Sequence, residues 1–275
     1  MTDSASAQFA GKIAVVTGAA QGIGEAAARL LAARGAAGVV LVDRRAEQGE
    51  AVAKSLNAAG TKAVFVEADL ADPEAVAKVI PAADKAFGRV DILANIAGLT
   101  DRGTILDTDL ALYDKMFAVN VRAPFFLMQD AIKVMQRECT EGTIVNILSV
   151  NAYIGSPNLA AYSASKGALM TLTKNTANAV NMMRIRVNGI ILGWADTPGE
   201  HETLKKFHDA SDDWLEQAEP TRPFGKLIKP EDVARLIAFL GGPESSPMTG
   251  SCVEYEQTVV GAYAGSALGY PQKKA

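Results

Sequence analysis

Seven short apolar runs, at residues 12–17, 38–42, 63–66, 91–94, 143–148, 186–192 and 251–255, alternate with helical stretches along the 275-residue chain and constrain its fold more than any other feature. Runs such as Ile13-Ala14-Val15-Val16 are apolar at every position, which suits strands buried on both faces of a parallel sheet. The intervening amphipathic or Ala-rich segments at 23–33, 46–59, 73–87, 109–121, 124–138, 160–183 and 230–240 then serve as crossover helices. The expected fold is α/β: a Rossmann-type, doubly wound, mainly parallel sheet of seven strands flanked by helices, in a single domain over 1–275. Asp72-Pro73 and Lys229-Pro230-Glu231-Asp232 read as helix starts, with proline in the first turn and acids near the positive end of the helix dipole. The longest irregular region, 193–228, is expected to cover a site and to carry one short helix over 199–216. A tail over 261–275 either packs on a neighbouring subunit or stands free.

Composition narrows the functional classes. A net charge of −4, with 49% hydrophobic and 21% charged residues, gives no basic footprint for nucleic acid and favours a small-molecule partner. No apolar run is long enough for a bilayer span, and the Met1–Gln8 start lacks the basic and apolar regions of a signal peptide, so a cytoplasmic location is expected. Cys139 and Cys252 lie far apart, and His201 and His208 do not complete a ligand set, so no metal is expected.

Four stretches carry chemistry. Thr17-Gly18-Ala19-Ala20-Gln21-Gly22-Ile23-Gly24 follows the first strand and opens the first helix, where free N–H groups and missing side chains let a pyrophosphate approach the backbone. Gly18, Gln21, Gly22, Ile23 and Gly24 are therefore candidate dinucleotide contacts. Asp43 ends the second strand, where a carboxylate accepts hydrogen bonds from ribose hydroxyls and repels a 2′-phosphate, which favours NAD over NADP. Arg44 beside it is a further cofactor candidate, although Arg44 and Arg45 together could instead cradle a phosphate. Asp69 and Leu70 after the third strand could meet the adenine edge, and Asp69 could equally cap the following helix. Tyr162 and Lys166, four residues apart, share one helical face. A phenol with pKa of about 10 is a poor proton shuttle near neutrality, and a neighbouring ammonium is expected to draw it down.

These motifs, in this order, resemble the classical short-chain dehydrogenase/reductase family from Lys12 to Tyr255. The glycine pattern, Asn95-Ile96-Ala97-Gly98 after the fourth strand, and the set Asn120, Ser149, Tyr162 and Lys166 carry the resemblance, and Ser149 precedes Tyr162 by the family's usual thirteen residues. The resemblance implies that Tyr162 exchanges a proton with an alcohol or carbonyl while hydride passes to or from a nicotinamide. Lys166 would lower the phenol pKa and hold the nicotinamide ribose, Ser149 would bond the reacting oxygen, and Asn120 would kink its helix and order a relay water. Asn95, Ala97 and Gly98 would line the cofactor channel, with Ala195 and Thr197 meeting the nicotinamide carboxamide. Leu192-Gly193 departs from the family's usual Pro-Gly step and leaves the local backbone path open. Trp194 either walls the substrate pocket or packs under the 193–228 segment. Asn151, Tyr153, His201 and His208 are polar candidates near a hydroxylated substrate, and the leading substrate class is a sugar, polyol or cyclic hydroxy compound. The alternatives are a 3-oxoacyl thioester reductase and a non-catalytic dinucleotide-binding regulator. Helices over 124–138 and 160–183 are apolar on more than one face, and the family builds a dimer interface from them, so a homo-oligomer, in particular a homotetramer, is expected.

Overall fold

The computed structural model describes residues 7–261; the tail expected over 261–275 lies, beyond Gly261, outside the described residues, as do Met1–Ser6 of the N-terminus. Strands β1 (Ile13–Thr17), β2 (Gly38–Asp43), β3 (Lys62–Glu67), β4 (Ile92–Asn95), β5 (Thr143–Ile147), β6 (Arg186–Leu192) and β7 (Cys252–Tyr255) form one parallel sheet in the order β3-β2-β1-β4-β5-β6-β7. The chain therefore winds outward in one direction from β1 and in the other from β4. Side chains of successive strand residues alternate between two cores, as the two-residue strand period requires. Ala14 and Val16 of β1, with Val39 and Leu41 of β2, enter the layer completed by Ala27, Leu31, Val52, Leu56 and Ile237. Val15, Val40 and Val42 enter the opposite layer with Val76, Ile80, Leu127, Ala131 and Ala177. Helices α1 (Gly22–Ala33), α2 (Ala46–Ala58) and α9 (Pro230–Gly241) thus cover one face, and α3 (Pro73–Phe87), α5 (Ala123–Arg137) and α6 (Ala160–Val180) the other.

Two elements differ from the sequence expectation. The helix expected over 109–121 ends earlier: α4 (Leu110–Phe117) passes into a π-helical turn, Ala118–Arg122, that runs straight into α5. A π-turn widens the helix by one residue and bends it. The single helix expected over 199–216 is two, α7 (Pro198–His208) and α8 (Trp214–Ala218), broken at Asp209, whose φ of 47° lies in the left-handed region. Leu192 in place of proline keeps the end of β6 in the sheet: it pairs with Tyr255, and the next residue, Gly193, donates its N–H to the Tyr255 carbonyl at 3.0 Å. The chain then pairs back on itself, Ala195 bridging to Ile228, so that 193–228 leaves and rejoins the body at one point.

Candidate active site

In a doubly wound sheet ligands bind beyond the carboxyl ends of the strands, where the winding reverses. That point lies here between β1 and β4. Thr17 closes it: its hydroxyl oxygen accepts the N–H groups of Ile96 (2.9 Å) and Ala97 (3.1 Å), tying the two strand ends together. Sequence reasoning placed this residue at the head of the glycine motif but gave it no contact of its own, because a strand-terminal threonine does not announce its partners. The turn that follows needs its glycines, two for their backbone conformation and one for space. Gly18 (φ 68°) and Gly22 (φ 56°) adopt left-handed backbone, a Cβ on Gly18 would stand 3.1 Å from the Ala97 backbone, and one on Gly24 would stand 2.1 Å from the Gly18 carbonyl oxygen. Gln21, the N-cap of α1, makes no side-chain capping bond, so the first N–H groups of that helix stay open to an anion.

Two adjoining cavities, of about 760 and 220 Å³, run across this edge and share Gln21, Ile23, Gly98 and Thr197 among their walls. The smaller is lined by Gly18, Gly22, Gly24, Asp43, Arg44, Asp69, Leu70 and Ala97. Asp43 accepts the backbone N–H of Ala20 at 3.1 Å and of Arg45 at 3.0 Å, so it also fixes the glycine turn. Arg45 is paired with Glu202 of α7 at 2.7 Å, while Arg44 lines both cavities. Asp69 caps nothing in α3; it accepts from Ala71 N, and Asp72 is the helix cap, accepting from Glu74 N. This glycine cradle, open helix end and strand-end carboxylate fit the two phosphates and the adenosine ribose of a nicotinamide dinucleotide. Asn95 is the exception among the cofactor candidates. It is buried and does not line either cavity; its amide donates to Asn146 at 2.8 Å, which in turn donates to Thr173 at 2.9 Å, stitching β4, β5 and α6 together. The last side chain of a strand points to one core or the other, and here it points inward.

The larger cavity is lined by Ser149, Tyr162, Lys166, Leu192, Trp194, Ala195 and Thr197. Tyr162 is 9% exposed and Lys166 3%. The Lys166 ammonium donates to the Ile147 carbonyl at 2.7 Å, and burial lowers its pKa to about 8. It lies 5.9 Å from the centroid of the Tyr162 ring. Burial raises the Tyr162 phenol above 10, the Ser149 side chain beside it pulls the other way, Glu200 raises it and Arg102 lowers it. The phenol thus moves up where the sequence led us to expect it to move down: its removal from water outweighs the Ser149 hydrogen bond and the Arg102 charge. Asn120 is fully buried in the π-turn. Its carboxamide grips Leu99, accepting from Leu99 N (2.8 Å) and donating to Leu99 O (3.0 Å), and donates to Ser165 Oγ at 3.0 Å. Gly98 sits between the two networks, since a Cβ there would lie 3.4 Å from Lys166 Nζ and 3.5 Å from Asn120 Oδ1.

Of the polar candidates for substrate contact, Asn151 lines the cavity, with its side chain accepting from Ser156 N and Oγ. Tyr153 does not; burial and the charge of Glu254 raise its pKa. His201 is a strut, contacting Asp196 at 2.7 Å and accepting from Trp214 Nε1 at 3.2 Å, and Asp196 continues to Lys229 at 2.9 Å. His208 accepts from Arg102 at 3.2 Å, outside the cavity wall. Trp194 does wall the cavity: it donates to Glu200 at 3.0 Å and stacks on Trp214 with ring centroids 5.9 Å apart. Glu200 also meets Arg102 at 3.5 Å. Arg102, Glu200, Arg222 and Glu256 are cavity residues that sequence reasoning missed, because chain pairings far apart in sequence bring them here. Among the described residues no group of three or more His, Cys, Asp or Glu is arranged to hold a metal ion. None of the described helices is long and apolar enough to cross a membrane.

Comparison with known proteins decides the family. The sequence profile described as "Enoyl-(Acyl carrier protein) reductase" matches residues 18–256. Cis-4-hydroxycyclohexanecarboxylate dehydrogenase of Sinomonas cyclohexanicum is 34% identical over 247 residues, covering 88% of this chain and 94% of that protein. The chain belongs to the short-chain dehydrogenase/reductase family. A dehydrogenase/reductase from Sinorhizobium meliloti 1021 shares the fold with a TM-score of 0.79 at 35% identity, covering 91% of this chain and 95% of that one. The 3-ketoacyl-(acyl-carrier-protein) reductase of Brucella melitensis, solved with NADH, matches with a TM-score of 0.79 at 33% identity over 90% of this chain and 98% of that one. As a member of the family, this short-chain dehydrogenase/reductase is a nicotinamide-dependent oxidoreductase acting on CH–OH groups.

Proposed function

We propose that this enzyme interconverts a secondary alcohol and its ketone with NAD(H), and that its substrate is a sugar, polyol or cyclic hydroxy compound. The observation that carries the reading is the convergence of Ser149, Tyr162 and Lys166 on one cavity that adjoins the glycine cradle. The nicotinamide, when bound, supplies the hydride acceptor in oxidation and the donor in reduction. Tyr162 takes the hydroxyl proton of the alcohol, or gives one to the carbonyl oxygen. Ser149 holds that oxygen by a hydrogen bond and stabilises its developing charge. Lys166, with one N–H on Ile147 O and two left, holds ribose hydroxyls, and Asn120 keeps the Leu99 backbone and Ser165 in register behind it. Asp43 supports NAD over NADP, and the Arg45–Glu202 pair takes one of the two neighbouring guanidiniums away from a 2′-phosphate. The cyclic substrate finds support in the Sinomonas relative's named activity. A second reading, reduction of a 3-oxoacyl thioester, rests on the named activity of the Brucella protein.

We further assign a single catalytic domain in a cytoplasmic homotetramer with no nucleic-acid partner; Phe125 and Phe126 on α5, each 44% exposed, support an interface there. The test is turnover of a panel of sugars, polyols, cyclic alcohols and a 3-oxoacyl thioester by wild type and Tyr162→Phe. Loss of the phenol proton should cut kcat by about 10²–10⁴ with NADH affinity retained. Hydride transfer unaffected by Tyr162→Phe would sink the mechanism, and preference for the thioester would replace the substrate class.

A further inference from the structure

The charges that line the larger cavity are nearly all spoken for. Arg45 is paired with Glu202, Arg102 with Glu200 and Lys206 with Asp101, and Lys166 is bonded to Ile147 O. Arg44 and Lys115 also line the smaller, adenosine-side cavity. Arg222 is left: it lines the larger cavity alone and makes no ion pair with the described carboxylates. Its guanidinium lies on the Trp194 ring, 5.2 Å from the centroid, and its Nε and Nη2 each reach the Thr221 hydroxyl at 3.2 Å. A guanidinium has five N–H donors. Two are engaged here, which leaves both on Nη1 and the second on Nη2, the edge that matches the two oxygens of a carboxylate.

The backbone under Arg222 is held. Its N–H donates to Glu219 O at 3.0 Å and its carbonyl accepts from Gly225 N at 3.0 Å. Glu219 is itself clamped by Lys229 at 2.6 Å, and Lys229 by Asp196 at 2.9 Å. Trp194, on which the guanidinium rests, is fixed by Glu200 and Trp214. An arginine stacked and tethered in this way loses little further freedom on binding a ligand.

We propose that Arg222 receives a carboxylate carried by the substrate apart from its reacting hydroxyl, which narrows the substrate to a hydroxy or oxo monocarboxylate with an apolar body that packs on Trp194. This rests on the alcohol–ketone reading above. The free Nη1–Nη2 edge of Arg222 offers one bidentate site, which suits a single carboxylate. One unpaired guanidinium faces the cavity together with Glu256, which accepts the N–H groups of Gln257 and Thr258 and has no cationic partner among the described residues. A dianion such as a phosphate ester would be left undercompensated.

The probe is cyclohexanecarboxylate, which has no reacting hydroxyl, titrated calorimetrically into the enzyme loaded with NADH, beside the uncharged cyclohexanecarboxamide. Wild type should bind the acid at least tenfold more tightly than the amide. Arg222→Gln should erase that difference, Arg222→Lys should keep part of it, and NADH affinity should be the same in all three, which reports an intact fold. Equal affinity for acid and amide in wild type, no binding of the acid, or discrimination that survives Arg222→Gln overturns the proposal. Turnover separates the two readings. Oxidation of cyclohexanol with no gain for 4-hydroxycyclohexanecarboxylate keeps the alcohol–ketone reading and removes the carboxylate site. Arg222-dependent acid binding without oxidation of any alcohol does the reverse.

Discussion

Lys166 is a buried ammonium with no carboxylate beside it, and replacing it with methionine should change the pH dependence of stability in a calculable way. Burial lowers its pKa from 10.5 to about 8. Because the folded-state pKa is the lower one, the unfolded chain binds more protons between about pH 8 and 10.5, and stability rises with pH across that window. For those two values the charging of Lys166 costs about 3 kcal/mol at pH 7 and about 1 kcal/mol at pH 9.5, so wild type gains about 2 kcal/mol over the interval. Lys166→Met has no such gain. The variant also gives up the bond to Ile147 O, a loss of about 1.5–3 kcal/mol that does not vary with pH in the same way. The diagnostic quantity is therefore the change in the stability difference with pH, not its value at one pH. Thermal unfolding of both proteins at equal concentration, without added nucleotide, from pH 6.5 to 9.5 measures it. At about 2–4 °C per kcal/mol for a chain of roughly this size, wild type should gain about 4 °C or more on the variant between pH 7 and 9.5. Other groups titrating in this range act on both proteins and cancel. Parallel melting curves, with a gap constant to about 1 °C, would refute the argument that Lys166 is held charged and unsolvated.

Gly24→Ala places a Cβ against the Gly18 carbonyl, which cannot swing aside as a side chain would, so α1 must move; NADH affinity measured by fluorescence titration should fall by more than about tenfold, with a lower melting temperature. Asp43→Ser removes the carboxylate at the end of β2 and should narrow the ratio of NADH to NADPH affinity by about tenfold, read by the same titration; tighter NADPH binding by wild type would contradict the role given to Asp43.

The sheet was legible because parallel strands buried on both faces must be apolar at every position, and runs such as 38–42 and 143–148 have no competing period. The glycine turn was legible for a different reason: Gly24 has no room for a Cβ and Gly18 and Gly22 hold left-handed backbone, and residue type records both directly. The π-turn at Ala118–Arg122 leaves no such record, since Ala-Val-Asn-Val-Arg suits an ordinary helix, and what holds it is the grip of Asn120 on Leu99 some twenty residues away. The break at Asp209 was hidden too, because no glycine or proline marks it. Arg222 was out of reach altogether. Its position follows from the bridge of Ala195 to Ile228 and the Glu219–Lys229–Asp196 clamp, and neither has a local pattern.

The departures from local rules gather where chemistry is assigned, and their electrostatic sense is specific. In water the tyrosine and lysine side chains lose their protons at nearly the same pH, about 10 and 10.5. Here the environment moves them apart, Tyr162 upward and Lys166 down to about 8. At neutral pH the phenol keeps its proton and the ammonium its charge with or without these shifts, and the upward shift of Tyr162 strengthens the state required of a proton donor to a carbonyl. The opposite direction asks the phenol to ionise. The groups that favour that are the Ser149 side chain and Arg102, and Glu200 opposes them. Because Glu200 also accepts from Trp194 and Arg102, the group that holds the tryptophan wall in place also biases the tyrosine toward its protonated form. Glu200 therefore stands in both networks, bracing the tryptophan wall and adding its charge to the surroundings of Tyr162.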